Sequence, residues 1–126
     1  MTRESSLQTL KKRSDFVQIA ASGRRFAART LVLQVRKTPR DSAGQSEGQS
    51  AIRVGYTASR RVGNAVTRNR AKRRLRAAVH EVLGPKGAPG YDYVLIARQG
   101  ISQRPFLNVV ADLTYALEKL DLLIDA

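Results

Sequence analysis

Nine basic residues and no acidic one fall between Arg53 and Arg76, in the run RVGYTASRRVGNAVTRNRAKRRLR. Guanidinium groups dominate the run. Each is a planar fork that meets two phosphate oxygens at once, so at this density they suit the backbone of a nucleic acid. Asn69, set among the cations, adds a donor and an acceptor for a sugar or a base edge. From Ala65 onward the spacing is helical. Ala71, Leu75, Ala78, Val79 and Val82 recur at i, i+4, i+7, i+8 and i+11 and lay one apolar stripe. At about 100° per residue, Asn69, Arg73, Arg76 and His80 fall on the opposite arc, flanked by Arg70 and Lys72. Arg68, Lys72 and Arg76 form a like-charge i,i+4 ladder that costs about 0.2–0.5 kcal/mol per pair. A bound polyanion relieves that repulsion.

Bond-breaking chemistry finds no comparable constellation. His80 is the single histidine, so a two-histidine ribonuclease mechanism is excluded. A capping or surface role at the end of the basic helix is expected for it. The acids of the basic half (Glu4, Asp15, Asp41 and Glu47) are scattered, whereas a two-metal site needs carboxylates clustered around ions about 3.5–4 Å apart. Asp112, Glu118, Asp121 and Asp125 read as the solvated face of a last helix. No P-loop and no GxGxxG fingerprint occurs. No catalytic and no metal-ligating residue is expected on this chain.

The elements that must position the basic run follow from composition and pattern. The 126 residues, 42% hydrophobic, predict one domain spanning 1–126 with a modest core. No apolar run approaches the roughly 18–20 residues of a membrane span, and the first residues lack a secretory leader, so no membrane partner is expected. The absence of cysteine fits a reducing cytoplasm. Charge is polarised along the chain: residues 1–76 hold 19 basic and 4 acidic residues, residues 77–126 only 4 and 6.

In chain order, Met1 to Leu7 reads as loose. A first helix starts after Lys11-Lys12-Arg13, with Ser14 as N-cap, Asp15 in its first turn and Gly23 as its stop; Phe16, Ile19 and Ala20 share a face. Arg24 to Ala28 suits a short edge strand, and Leu31, Leu33 and Val35 alternate as a longer one. Residues 38–50 are polar and rich in Gly, Ser and Gln, a flexible loop within a hairpin. Ile52, Val54, Tyr56 and Ala58 alternate as the next strand, and Gly63-Asn64 turns into the basic helix with Asn64 as N-cap. Tyr91 to Arg98 is a largely apolar strand, and Pro105 opens a last helix carrying Phe106, Val109, Leu113, Ala116, Leu117, Leu120 and Ile124 as its stripe. This order, helix, strand, strand, basic helix, strand, helix, predicts an α+β chain, a two-layer α/β sandwich with three helices. Ordinary rules make the crossover through the basic helix right-handed.

From Arg53 the segment RVGYTASRRVGNAVTRNRAKRRLRAAV closely resembles the signature of the bacterial ribonuclease P protein subunit family, whose hallmark is an Arg-Asn-Arg helix. Here the motif is Arg68-Asn69-Arg70, followed by Lys72, Arg73 and Arg76. The resemblance extends to Leu10-Lys11-Lys12 with Asp15-Phe16, to Asp92 through Arg98, and to the closing helix. It implies a ribosomal-protein-like α/β sandwich around a four-stranded sheet, with a left-handed crossover in place of the default. It also implies a ribonucleoprotein in which a large RNA removes the 5′ leader of precursor tRNA using Mg2+ bound mainly by that RNA. The partners so implied are the ribonuclease P RNA and the single-stranded leader, with no obligate protein partner.

Carried over residue by residue, the resemblance sets Arg60, Arg61, Asn64, Arg68, Asn69, Arg70, Lys72, Arg73 and Arg76 against the RNA subunit. It sets Phe16, Ala20, Gln34, Arg53 and Arg98 in a leader-binding cleft between the first helix and the sheet. Many members have an aromatic at Ala20 and some at Gln34, so base stacking in this cleft is expected to lean on Phe16, with Gln34 and Arg53 offering polar contacts. Composition alone leaves open a standalone RNA-binding protein with no part in cleavage; the ordered motif favours the ribonuclease P subunit.

Overall fold

A computed structural model of the chain describes residues 6–39 and 51–124. The loop expected over 38–50 lies, from residue 40 on, outside the described residues. The elements are β1 (Ser6–Thr9), α1 (Arg13–Ser22), β2 (Arg24–Ala27), β3 (Leu31–Lys37), β4 (Ala51–Ala58), α2 (Ala65–Ala78), β5 (Tyr91–Ala97) and α3 (Phe106–Lys119). After Ala78 the backbone widens into a π-turn over Val79–Leu83 and tightens again over Gly84–Lys86. The wider turn keeps Val79, Val82 and Leu83 all buried.

The sheet has five strands in the order β1-β4-β5-β3-β2, where the sequence predicts four. The additional strand is β1, in the stretch expected to be loose. It pairs parallel with β4, from Ser6 opposite Ala51 to Thr9 opposite Val54. Four residues with little alternation carry no strand signal; the pairing comes from the open edge of β4. β4 and β5 are also parallel, and β3 and β2 are antiparallel to their neighbours. The sheet is therefore mixed, and α2 makes the crossover between adjacent parallel strands.

Helices cover both faces, which corrects the two-layer expectation. On one face α2 and α3 bury the stripe predicted for α2 (Ala71, Leu75, Ala78, Val79 and Val82) with Val109, Leu113, Ala116 and Leu117 against Leu31, Leu33, Val35, Ile52, Val54, Tyr93 and Leu95. On the other, α1 lies alone. Its Ile19 packs with Leu10 and Val94, with Phe16 and Ile96 at the margin of this smaller cluster. Among the described residues no helix is long and apolar enough to cross a membrane.

Three local expectations shift. α1 starts at Arg13 with Lys12 as a cap that gives no side-chain bond, so Ser14 lies inside the helix. Gly23 does stop α1, but in extended backbone and not in the left-handed region. A Cβ there would lie 2.4 Å from the Val35 carbonyl oxygen and 2.6 Å from that of Ile19, so close approach to β3 requires the glycine. Asp112 is not merely solvated: Oδ2 accepts from the Thr30 amide at 2.9 Å and the Thr30 hydroxyl at 2.7 Å, tying α3 to the start of β3.

Candidate nucleic-acid interface

α2 is built from strong helix formers between Arg68 and Ala78. Its start is fixed as predicted: Asn64 Oδ1 accepts from the Thr67 amide at 2.9 Å. The Asn64 side chain thus has a structural duty at the place where the sequence also sets it against RNA. Arg68 turns back, its guanidinium donating to the Gly63 carbonyl at 3.1 Å and bracing the turn that carries exposed Arg60 and Arg61. Asn69, Arg70, Arg73 and Arg76 are exposed and Lys72 is half-buried. Asn69, Lys72, Arg73, Arg76 and Val66 line an open groove of about 550 Å³ along one flank. Arg76 lies 4.9 Å from the centre of the Tyr56 ring, a cation–π contact that holds the guanidinium over β4. Burial pushes the Tyr56 phenol up to about 12 against the opposing pull of Arg76, so the ring stays neutral beneath the cation.

No carboxylate answers these cations within ion-pair distance among the described residues, where every ion pair lies on the α1 face of the sheet. Like charges held together along one helix, unneutralised by the protein, make a field suited to a polyanion. His80 is exposed just beyond the rail.

The second candidate region is the α1 face. Gly55 of β4 lies under the Phe16 ring, and a Cβ built on it would come within 2.5 Å of two ring carbons. A glycine in the middle of an alternating strand is the sequence signal for such an approach. It lets the ring lie on the sheet, half-buried with one side open. Beside Gly55 in register come Val94 of β5 and Gln34 of β3, the latter only 7% exposed. The next rank, Thr57 and Ile96, is partly exposed, and Ala20 is exposed on α1. Arg98 sits beyond the end of β5, exposed, with its guanidinium donating to the Ala28 carbonyl at 2.7 Å. Phe16 and Gln34 thus lie on the same face of the sheet, Ala20 is exposed on α1, and Arg98 follows the end of β5.

Arg53 has a different setting. It is 9% exposed, and its guanidinium grips Asp92 with both arms, Nε to Oδ1 at 2.8 Å and Nη2 to Oδ2 at 2.7 Å. Asp92, with 0% exposure, also accepts from Arg36 Nε at 3.0 Å and the Thr38 hydroxyl at 2.7 Å. Arg36 continues to α1, donating to Asp15 at 3.1 Å and Gln18 at 3.0 Å. This chain of charge-assisted bonds clamps α1 to the sheet. Burial alone pushes the Asp92 carboxyl up, but the bonds from Arg53, Thr38 and Arg36 together outweigh it and hold it below its ordinary value. The bond from Asp92 likewise raises Arg53, against its own desolvation. Arg53 is therefore committed to Asp92 through two of its nitrogens and is only marginally open to a ligand. Sequence reasoning misses this cluster because Asp92, Arg36 and Arg53 lie on three separate strands; the one hint is a lone acid inside an apolar strand.

Residues 5–121 match the sequence profile of the family Ribonuclease P. The ribonuclease P protein component of Ruegeria pomeroyi is 53% identical over 117 residues, covering 92% of this chain and 88% of the relative. That of Paramagnetospirillum magneticum is 42% identical over 114 residues, covering 90% and 83%. Among solved structures, the RNase P protein of Thermotoga maritima superposes with a TM-score of 0.68 at 26% identity, covering 86% of this chain and 93% of that one. A Staphylococcus aureus RNase P protein mutant with defective mRNA degradation activity gives 0.72 at 25% identity over 90% and 88%. With these likenesses over nearly its whole length, the chain belongs to the ribonuclease P protein family, the protein component of the endoribonuclease that processes the 5′ end of precursor tRNA.

Proposed function

We propose that the chain divides its work in ribonuclease P between its two faces, α2 gripping the catalytic RNA and the cleft under α1 taking the single-stranded 5′ leader of the precursor. The observation that carries this division is the difference in chemistry between the faces. The outer arc of α2 offers exposed, unneutralised guanidinium groups, which suit a structured phosphate backbone. The cleft offers a half-open aromatic ring, apolar and amide neighbours and a single arginine at its end, which suit unpaired bases. Cleavage then belongs to the RNA, and the protein adds affinity and breadth of substrate. Magnesium belongs with the RNA as well. Asp15 and Asp92 are both engaged by arginines, so neither carboxylate is free to take a divalent ion there. The left-handed sense of the β4–α2–β5 crossover goes with the same assignment, supported by the likeness to the solved family members. A cytoplasmic, cysteine-free subunit with no obligate protein partner completes the reading.

Phe16→Ala tests the leader half. With the reconstituted enzyme, the substitution is expected to weaken precursor tRNA by about 1–3 kcal/mol, the worth of one stacked base, and to leave mature tRNA nearly unchanged. Equal losses for both would place the leader elsewhere.

A further inference from the structure

The flank of α2 that turns toward α3 carries a second groove, of about 330 Å³, lined by Arg70, Arg73, Arg74, Ala77 and Phe106. It shares only Arg73 with the groove on the other flank, so the exposed ridge of α2 runs between two separate hollows. Its walls differ in kind. Arg74 is anchored, Nη1 donating to the Arg104 carbonyl at 2.6 Å and more weakly to that of Ile101 at 3.4 Å, which fixes its guanidinium as one wall. Arg70 and Arg73 are exposed and make no ion pair among the described residues. Phe106, the first residue of α3, belongs by pattern to the apolar stripe of that helix, yet it stays half-exposed at the edge of the core, and Ala77 beside it is exposed. A rail that only neutralises phosphates has no use for an aromatic ring and an alanine methyl at its base.

We propose that this groove is a pocket for one unpaired nucleotide of the bound RNA, its base stacked on the Phe106 ring and its phosphate held by Arg70 and Arg73. The inference rests on the reading that α2 binds the ribonuclease P RNA, and it adds a contact to a base where that reading needs contacts only to the backbone. Charge selects the polyanion; the ring selects a nucleic acid with an exposed base over any other polyanion.

The chain contains no tryptophan, so Phe106→Trp makes the pocket its own reporter. The full-length variant is titrated with ribonuclease P RNA and, separately, with heparin, a polyanion without bases, while anisotropy of the labelled RNA shows when binding is saturated. The expected result is strong quenching of the tryptophan by the RNA and little change with heparin. Phe106→Leu, which keeps apolar bulk at the core edge, is expected to lose about five- to a hundredfold in RNA affinity with an unchanged salt slope and a melting temperature near that of the wild type. Emission unmoved at RNA saturation, or moved equally by heparin, together with wild-type affinity in Phe106→Leu, overturns the pocket and leaves the α2 reading standing. Wild-type protein that fails to bind the RNA at all overturns the α2 reading and the pocket with it.

Discussion

Replacing Arg70, Lys72 and Arg73 together by glutamine is expected to cut affinity for the ribonuclease P RNA at least a hundredfold, at about 1–2 kcal/mol for each charge-assisted hydrogen bond to phosphate that is removed. The same triple variant should flatten the salt dependence by roughly 0.7–0.9 units of slope for each phosphate no longer neutralised, two to three units in all. Folding should survive. The three side chains are exposed or half-buried, glutamine is a good helix former, and the core stripe of α2 is untouched. A control separates the rail from net charge alone: Arg24, Arg25 and Arg29 are exposed on and after the β2 edge, and neutralising them removes the same three charges from another part of the surface. Binding isotherms across a salt series should show a much smaller slope change for this control. Matching slopes in the two triple variants would mean that the RNA is held by overall charge, with no privileged helix.

Asp92→Asn is expected to be the most destabilising conservative change in the molecule. The variant keeps the shape of the side chain but leaves Arg53 in a largely buried site without its counter-charge and Arg36 with Asp15 alone. Breaking a buried pair from one side costs about 3–5 kcal/mol. The isosteric amide should come near the lower end, a fall in melting temperature of about 10–15 °C for a chain of this size. The pH dependence has a definite sign. The folded-state carboxyl is held below its ordinary value of 3.8, so its contribution is complete above that value and is lost as pH falls through the lower folded value. Thermal melts of the wild type should therefore decline steeply below about pH 4, and those of Asp92→Asn should decline less. Identical acid limbs would show that the Asp92 cluster is not what holds α1 down. On the proposed division of faces the cluster also bears on function, because it clamps the helix set beside the leader.

Where the sequence determines structure through local chemistry, it can be read. The five-residue stripe of α2 lies in the core, Asn64 caps the helix, and Leu31, Leu33, Val35, Ile52 and Val54 are buried as the alternation expects, with Tyr56 and Ala58 buried only in part and the second face of β3 buried as well. What it hides depends on partners distant in the chain. β1 exists because β4 has an open edge, and nothing in Ser6–Thr9 announces it. Arg53 resembles the other cations of its run, but strand pairing puts it opposite Asp92 and turns a candidate RNA contact into an internal ion pair. Gly55 carries a signal that a reader could use, since a glycine within an alternating strand asks what lies on it, and the answer is Phe16. Layering escapes pattern analysis for a related reason. α1 has only a narrow apolar face, and periodicity does not say which side of the sheet receives it.

Reconstitution at low magnesium tests the central claim most directly. This protein is mixed with a bacterial ribonuclease P RNA and a precursor tRNA whose leader is several nucleotides long, and 5′ cleavage is followed with each component alone and with both together. Cleavage at the mature 5′ end that needs both protein and RNA is the predicted result. RNA binding without rescued cleavage, or cleavage by the protein free of RNA, would contradict it.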